Sequence, residues 1–260
     1  MKVVILAGGF GTRISEESHL KSKPMIEIGG QPILWHIMKS YSYYGFNEFV
    51  ICCGYKANVI KEYFANYYWH HSDMTFEFKN ENKITIHNNF AEPWTVTVVD
   101  TGLNTMTGGR LKRVKEYIGN ETFMLTYGDG VCDINLRDLY NYHKMHKKMV
   151  TLTAIQPGGR FGALEIGDSD LVETFVEKKV EDGGWINGGF MVMEPEILDT
   201  IDGDTVVLER EPLEYAASLN NLVAYRYNGF WQCMDTLRDK QYLEKILEEN
   251  KAPWVVWHGR

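Results

Sequence analysis

The run Gly8-Gly9-Phe10-Gly11-Thr12-Arg13 places three glycines in four positions, directly after the apolar stretch that ends in Leu6-Ala7. Glycine permits positive φ and lets a backbone come very close to a ligand. Successive N–H groups in such a turn form a concave anion site. Arg13 adds a permanent positive charge suited to phosphate. The chemistry this pattern favours is the holding of a phosphate chain. Two common nucleotide loops are excluded. A G-x-G-x-x-G loop needs glycine where Ile14 stands, and a Walker A loop needs a Gly-Lys-Ser/Thr run that is absent. A tight turn without a ligand is the competing reading of the glycines alone; the strand before them and Arg13 weigh against it.

Two carboxylates invite a second kind of chemistry. Asp129 lies between Gly128 and Gly130 at the end of the apolar run Phe123-Met124-Leu125-Thr126-Tyr127. Open α/β sheets bind ligands beyond the carboxyl ends of their strands, so Asp129 has room for a metal ion there or acts as a turn residue. Asp235 precedes a helical pattern, which makes it a helix cap or a second metal ligand. Hard Mg²⁺ takes phosphate oxygens together with one or two carboxylates. Gly108-Gly109-Arg110 opens a helix, a natural place for a phosphate or a base edge. Glu177-Lys178 ends a strand-like segment, and taken alone reads as solvated. The glycines of Asn187-Gly188-Gly189, taken alone, read as a bulge.

These residues need a scaffold, and the pattern around them supplies one. Val3 to Leu6 reads as a buried parallel strand. Pro32 opens a helix with Ile33, Leu34, Ile37, Met38 and Tyr41 on one face and Gly45 as its stop. Phe49 to Cys53 is a second strand, and Val59, Ile60, Tyr63 and Phe64 mark a second helix. This βαβα order predicts a doubly wound, Rossmann-like α/β fold with a mixed central sheet. From Met74 to Asp100 short β-rich runs predict an excursion of edge strands, so residues 74–107 are read as an insertion and a candidate subunit contact. Strands are expected near 150–155, 163–166, 173–176, 190–193 and 222–225, with a closing helix near 237–247. No linker or repeat divides the chain, so 1–260 is read as one domain.

Taken together, the motifs resemble a known family. The loop at Gly8–Arg13, followed by Lys21-Ser22-Lys23-Pro24-Met25, is similar to the signature of the sugar-1-phosphate nucleotidyltransferases. Ile14 and Ser22 depart from that signature without removing a functional group. Glu92-Pro93-Trp94, Met106 to Arg113 and Trp231 to Thr236 resemble the cytidylyl branch of the family, as does Lys251-Ala252-Pro253-Trp254. The resemblance spans essentially the whole chain and implies a Mg²⁺-dependent transfer from CTP to α-D-glucose 1-phosphate. It implies nucleotide contacts at Leu6 through Arg13, Lys23, Thr105, Arg110 and Gly128. Arg13, Lys23, Asp129 and Asp235 would carry catalysis, with Asp129 and Asp235 on the metal. Glu177, Lys178, Asn187 and Gly188 would hold the sugar phosphate, with Lys179 standing where the family has proline. A homo-oligomer, six copies by the resemblance, is also implied. The same reaction with UTP or dTTP, a non-catalytic nucleotide-sugar-sensing subunit and, more distantly, an NAD-dependent dehydrogenase are the alternatives.

Composition sets the outer bounds. Of 260 residues, 44% are hydrophobic and 24% charged, enough for a sizeable core. A formal net charge of −8 argues against a nucleic-acid or anionic-membrane partner. No signal-length or membrane-length apolar run is present. Cys52, Cys53, Cys132 and Cys233 form no CxxC pair, so they read as reduced, buried thiols of a cytoplasmic protein. His143 and His146 are read as an exposed helix face. The aromatic cluster at Tyr63, Tyr67, Tyr68 and Trp69 is read as core or subunit contact.

Overall fold

The computed structural model describes residues 1–11, 14, 21–79, 82–156, 163–166, 170–176 and 184–257. Strand β1 (Lys2–Ala7) leads to a 3-10 turn at Lys23–Met25, the short pair β2 (Glu27–Ile28) and β3 (Gln31–Pro32), and helix α1 (Ile33–Tyr43). β4 (Glu48–Cys53), helix α2 (Ala57–His70), β5 (Ser72–Glu77), β6 (Lys83–Asn89) and β7 (Thr95–Asp100) follow. Then come α3 (Thr107–Arg113), α4 (Lys115–Ile118), β8 (Phe123–Tyr127), β9 (Gly130–Cys132), α5 (Leu136–His146) and β10 (Val150–Ile155). The remainder holds β11 (Ala163–Ile166), β12 (Val172–Val176), β13 (Ile186–Asn187) and β14 (Met191–Met193). A 3-10 helix at Pro195–Thr200, α6 (Glu211–Ser218), β15 (Leu222–Arg226), β16 (Trp231–Cys233) and α7 (Leu237–Glu248) complete it.

The central sheet is mixed, as the pattern predicts. β8, β1, β4 and β7 run parallel in that order, and β14 joins β8 antiparallel. β15 pairs with β10 from Val150 to Ala154, and β13 and β14 share the other edge of β10 end to end. The break between them falls at Gly189 and Phe190, with φ of +75° and +45°. Side chains alternate across β1: Val3, Ile5 and Ala7 enter one apolar layer, Val4 and Leu6 the other. A strand covered on both faces must be apolar throughout, and this explains the unbroken Val3–Ala7 run.

Two expectations change. Val96–Val99 does not belong to an excursion: it pairs in parallel with β4 from Glu48↔Thr95 to Cys53↔Asp100 and forms one edge of the central sheet. The β5–β6 hairpin is the part that pairs only with itself. His143 is not exposed; it is buried, its Nδ1 2.9 Å from Thr151 Oγ1 and its Nε2 3.0 Å from Glu194 Oε1. Leu136, Leu139 and His143 share the buried face of α5 at helical spacing, so the ring is carried inward. Burial draws its pKa below the ordinary histidine value, against the pull of Glu194.

Candidate active site

β1 connects through α1 to β4 on one side, while β8 lies on its other side. The sheet order therefore reverses at β1, and a crevice opens at the carboxyl ends of β1 and β8. A cleft of about 730 Å³ occupies this place. Leu6 through Gly11, Lys23, Thr105, Arg110, Gly128 and Asp129 all line it. Its volume is within the range of small-molecule sites.

The glycine loop is held from behind by Arg110. Nη1 of Arg110 donates to Cys53 O at 3.0 Å, Thr101 Oγ1 at 2.8 Å and Gly102 O at 2.8 Å. Nη2 donates to Gly8 O at 3.1 Å and Leu103 O at 3.2 Å. One guanidinium thus ties together the segments that follow β1, β4 and β7. Arg110 lines the cleft, but these donors are committed to protein oxygens rather than facing a nucleotide. Gly8 and Gly54 make room for it: a Cβ on either would collide with the guanidinium, and on Gly54 it would also lie 2.7 Å from Gly8 O.

The glycines that open α3 serve a different purpose from the anion site their sequence suggests. Gly108 N and Gly109 N both donate to Val206 O, at 3.0 and 3.3 Å. A Cβ on Gly109 would fall 2.5 Å from Asp204 Cα. These residues are small so that α3 can seat against the 204–206 backbone, and their N–H groups are spent there.

Lys23, Asp129 and Asp235 converge, although they come from three distant parts of the chain. Lys23 belongs to the 3-10 turn that Pro24 helps fix. Asp129 occupies the turn between β8 and β9, and Asp235 follows β16. β9 and β16 pair antiparallel with Gly130 opposite Cys233, and Met234 N donates to Asp129 O at 2.8 Å. That ladder sets the two carboxylates side by side. Lys23 Nζ donates to Asp129 Oδ2 at 2.6 Å and to Asp235 Oδ1 at 2.5 Å. Burial opposes the Lys23 charge, yet the two carboxylates outweigh it and hold the ammonium pKa above the ordinary lysine value. Asp235 is not the helix cap. Thr236 caps α7, accepting from Asp239 N while Asp239 accepts from the Thr236 backbone. The Asp235 carboxylate is thereby left to face Lys23.

The sugar-side segment sits beside the cleft rather than in its lining. Trp231 Nε1 donates to Gly188 O at 2.7 Å, and Asn187 Oδ1 accepts from Gly189 N at 2.9 Å. Asn187 Nδ2 donates to Tyr127 OH at 3.3 Å, and that hydroxyl donates to Glu209 Oε1 at 2.5 Å. Glu209 Oε2 accepts from Thr107 Oγ1 at 2.6 Å. Burial and the neighbouring Glu209 push the Tyr127 phenol well above its ordinary pKa. Thr12, Arg13, Glu177 and Lys178 lie outside the described residues. Tyr127, Glu209 and Gly54 escaped the sequence reading. Tyr127 had a usable signal, the carboxyl end of a strand ahead of Gly-Asp-Gly; Glu209 had none, because its role arises from contacts made across the fold.

Among the described residues no group of three or more His, Cys, Asp and Glu converges as a metal cluster. The four cysteines are buried and unbridged. No helix among the described residues is long and apolar enough to cross a membrane.

The chain is similar in sequence and fold to known proteins. A family model described as nucleotidyl transferase matches residues 2–235. Glucose-1-phosphate cytidylyltransferase of Salmonella typhi is 57% identical over 258 residues, 99% of this chain and 100% of that protein. A probable glucose-1-phosphate cytidylyltransferase of Bacillus subtilis is 44% identical, over 99% of this chain and 100% of its own length. Among solved structures, HddC of Yersinia pseudotuberculosis superposes with a TM-score of 0.76 at 22% identity, over 95% of this chain and 99% of that one. At that identity the likeness speaks to fold; the same protein is also known complexed with GMP-PN. The match across residues 2–235, with the near full-length identity, shows that the chain belongs to the nucleotidyl transferase family, in its glucose-1-phosphate cytidylyltransferase branch.

Proposed function

We propose that this chain transfers a cytidylyl group from CTP to α-D-glucose 1-phosphate, giving CDP-glucose and pyrophosphate. The observation that carries the reading is the Lys23–Asp129–Asp235 cluster at the edge of the glycine-loop cleft. A phosphate oxygen of glucose 1-phosphate attacks the α-phosphorus of CTP, and the bond to the bridging oxygen of the pyrophosphate breaks. The nucleophile is already an anion, so no general base is needed. Catalysis rests on positioning and on stabilising developed charge. The backbone from Gly8 to Gly11 cradles the triphosphate, with Arg13 and Lys23 as its cationic partners. Lys178 receives the sugar phosphate, and Glu177 and Asn187 the sugar hydroxyls.

Asp129 and Asp235 fit a divalent ion. Both offer hard oxygens, and both already point one oxygen at a single cationic atom. Bound Mg²⁺ would offset the repulsion between the two phosphorylated substrates and stabilise charge on the leaving pyrophosphate.

The choice of CTP and glucose is supported by the 57% identity to the Salmonella enzyme. Pyrophosphate release should be measured with CTP, UTP and dTTP at fixed glucose 1-phosphate. CTP is expected to give the highest rate. A faster rate with UTP or dTTP would overturn the base assignment, and no release with any triphosphate would favour a non-catalytic sensing subunit. The chain is further read as one cytoplasmic nucleotidyltransferase domain across 1–260 that works as a homo-oligomer of six copies. The β5–β6 hairpin supports that assembly: Phe76, Phe78 and Ile84 are 48%, 81% and 49% exposed.

A further inference from the structure

We infer that Lys23 is a displaceable counter-ion: its ammonium holds Asp129 and Asp235 paired before substrate arrives, and a divalent cation must expel it to reach them. The inference rests on the reading that these two carboxylates take the metal. Lys23 Nζ lies 2.6 Å from one carboxylate and 2.5 Å from the other. A divalent ion held by Asp129 and Asp235 would draw on the same carboxylates that Lys23 now engages. The ion and the ammonium therefore compete for the same pair of carboxylates, and two cations brought together there would repel each other.

The geometry also says which partner moves. The carboxylates are anchored by the β9–β16 ladder and by the Met234 N to Asp129 O bond. Asp235 is fixed further by its own N–H, which donates to Asp239 Oδ2 at 3.1 Å. Lys23 ends a flexible four-carbon stem. Its residue lines the same cleft as Gly8 to Gly11, so the expelled ammonium has a nearby destination on the phosphates cradled there.

Metal alone gains the carboxylates but strands the lysine. Metal arriving with a triphosphate gains both, because Lys23 exchanges one anion for another. Metal and nucleotide binding are thereby coupled, and the coupling is reciprocal. The pair Asp129–Asp235 is closed to free divalent ions and opened by the loaded nucleotide.

The test is Mn²⁺ binding to the full chain without nucleotide, read as free Mn²⁺ by electron paramagnetic resonance, with melting temperature as a second readout. Wild type is compared with Lys23→Met and Lys23→Gln; the second keeps a donor for one carboxylate should the first fold poorly. Both variants should bind Mn²⁺ more tightly, by about tenfold, because their carboxylates are left without a competing cation. Mn²⁺ should also raise their melting temperatures by more than that of wild type. Adding Asp129→Asn to Lys23→Met should abolish the gain. Equal or weaker Mn²⁺ binding by both variants, the result of a lysine that merely shapes the site, would overturn the inference. No Asp129-dependent Mn²⁺ binding in any of these proteins, with or without CTP, would instead remove the metal reading beneath it.

Discussion

Asp129 and Asp235 share one lysine but not one environment. The Asp129 side chain is 30% exposed and that of Asp235 12%. In either variant Lys23 keeps the other carboxylate, so the difference lies in the pair that is lost: the pair nearer water is more screened and contributes less. Asp235→Asn should therefore lower the melting temperature by more than Asp129→Asn. Both should cut pyrophosphate release by a factor of at least about 100, the scale of a lost electrostatic contact at a reacting phosphate. Calorimetry with a steady-state assay reads both effects, and near-normal turnover in Asp129→Asn would sink its metal role. The site was legible at this scale wherever its chemistry is written locally. The glycine loop and Gly128-Asp129-Gly130 announce themselves by composition and spacing, and Lys23 by its place in a segment that resembles the family signature. Arg110 was named for a reason the structure alters: its donors are held by Gly8, Cys53 and the 101–103 segment. Glu209 stayed hidden because it meets Tyr127 across 82 positions of sequence.

At the scale of elements, the crevice depends on how closely the ends of β1 and β4 approach. Gly54 is the contact point: a Cβ there would meet both Arg110 and the Gly8 carbonyl. Gly54→Ala should force these ends apart at a cost of about 1–3 kcal/mol, the usual range for overpacking. Its melting temperature should fall by several degrees. Unlike a change in an exposed loop, it should also weaken nucleotide binding, measurable by calorimetric titration with CTP. The α/β order was readable because parallel strands buried on both faces carry unbroken apolar runs and helices carry a 3.6-residue period. The place of β7 was not, because its alternation of Val and Thr suits an edge strand of either an insertion or the main sheet. Register with β4 decides between them, and register is a property of two segments together.

For the whole molecule, the hairpin gathers several exposed apolar side chains on one face. Met74, Phe76, Ile84 and Ile86 share one face of β5–β6, and Phe78 continues it beyond β5. Phe78→Glu should convert the proposed assembly to smaller species in light scattering after gel filtration. The melting temperature of the isolated subunit should stay close to that of wild type, since Phe78 is so exposed. An unchanged mass would move the contact elsewhere.

The closing of Lys23 onto Asp235 spans 212 positions of sequence. A ribosome makes the lysine long before the second carboxylate. A growing chain can bring Lys23 to Asp129 as soon as β8 docks on β1, but β16 has yet to be made. The partial site then carries one negative charge against one positive charge and offers a divalent ion a single carboxylate. Only once β16 pairs with β9 does the second acid arrive, so the two carboxylates come together only after every segment between them has been made.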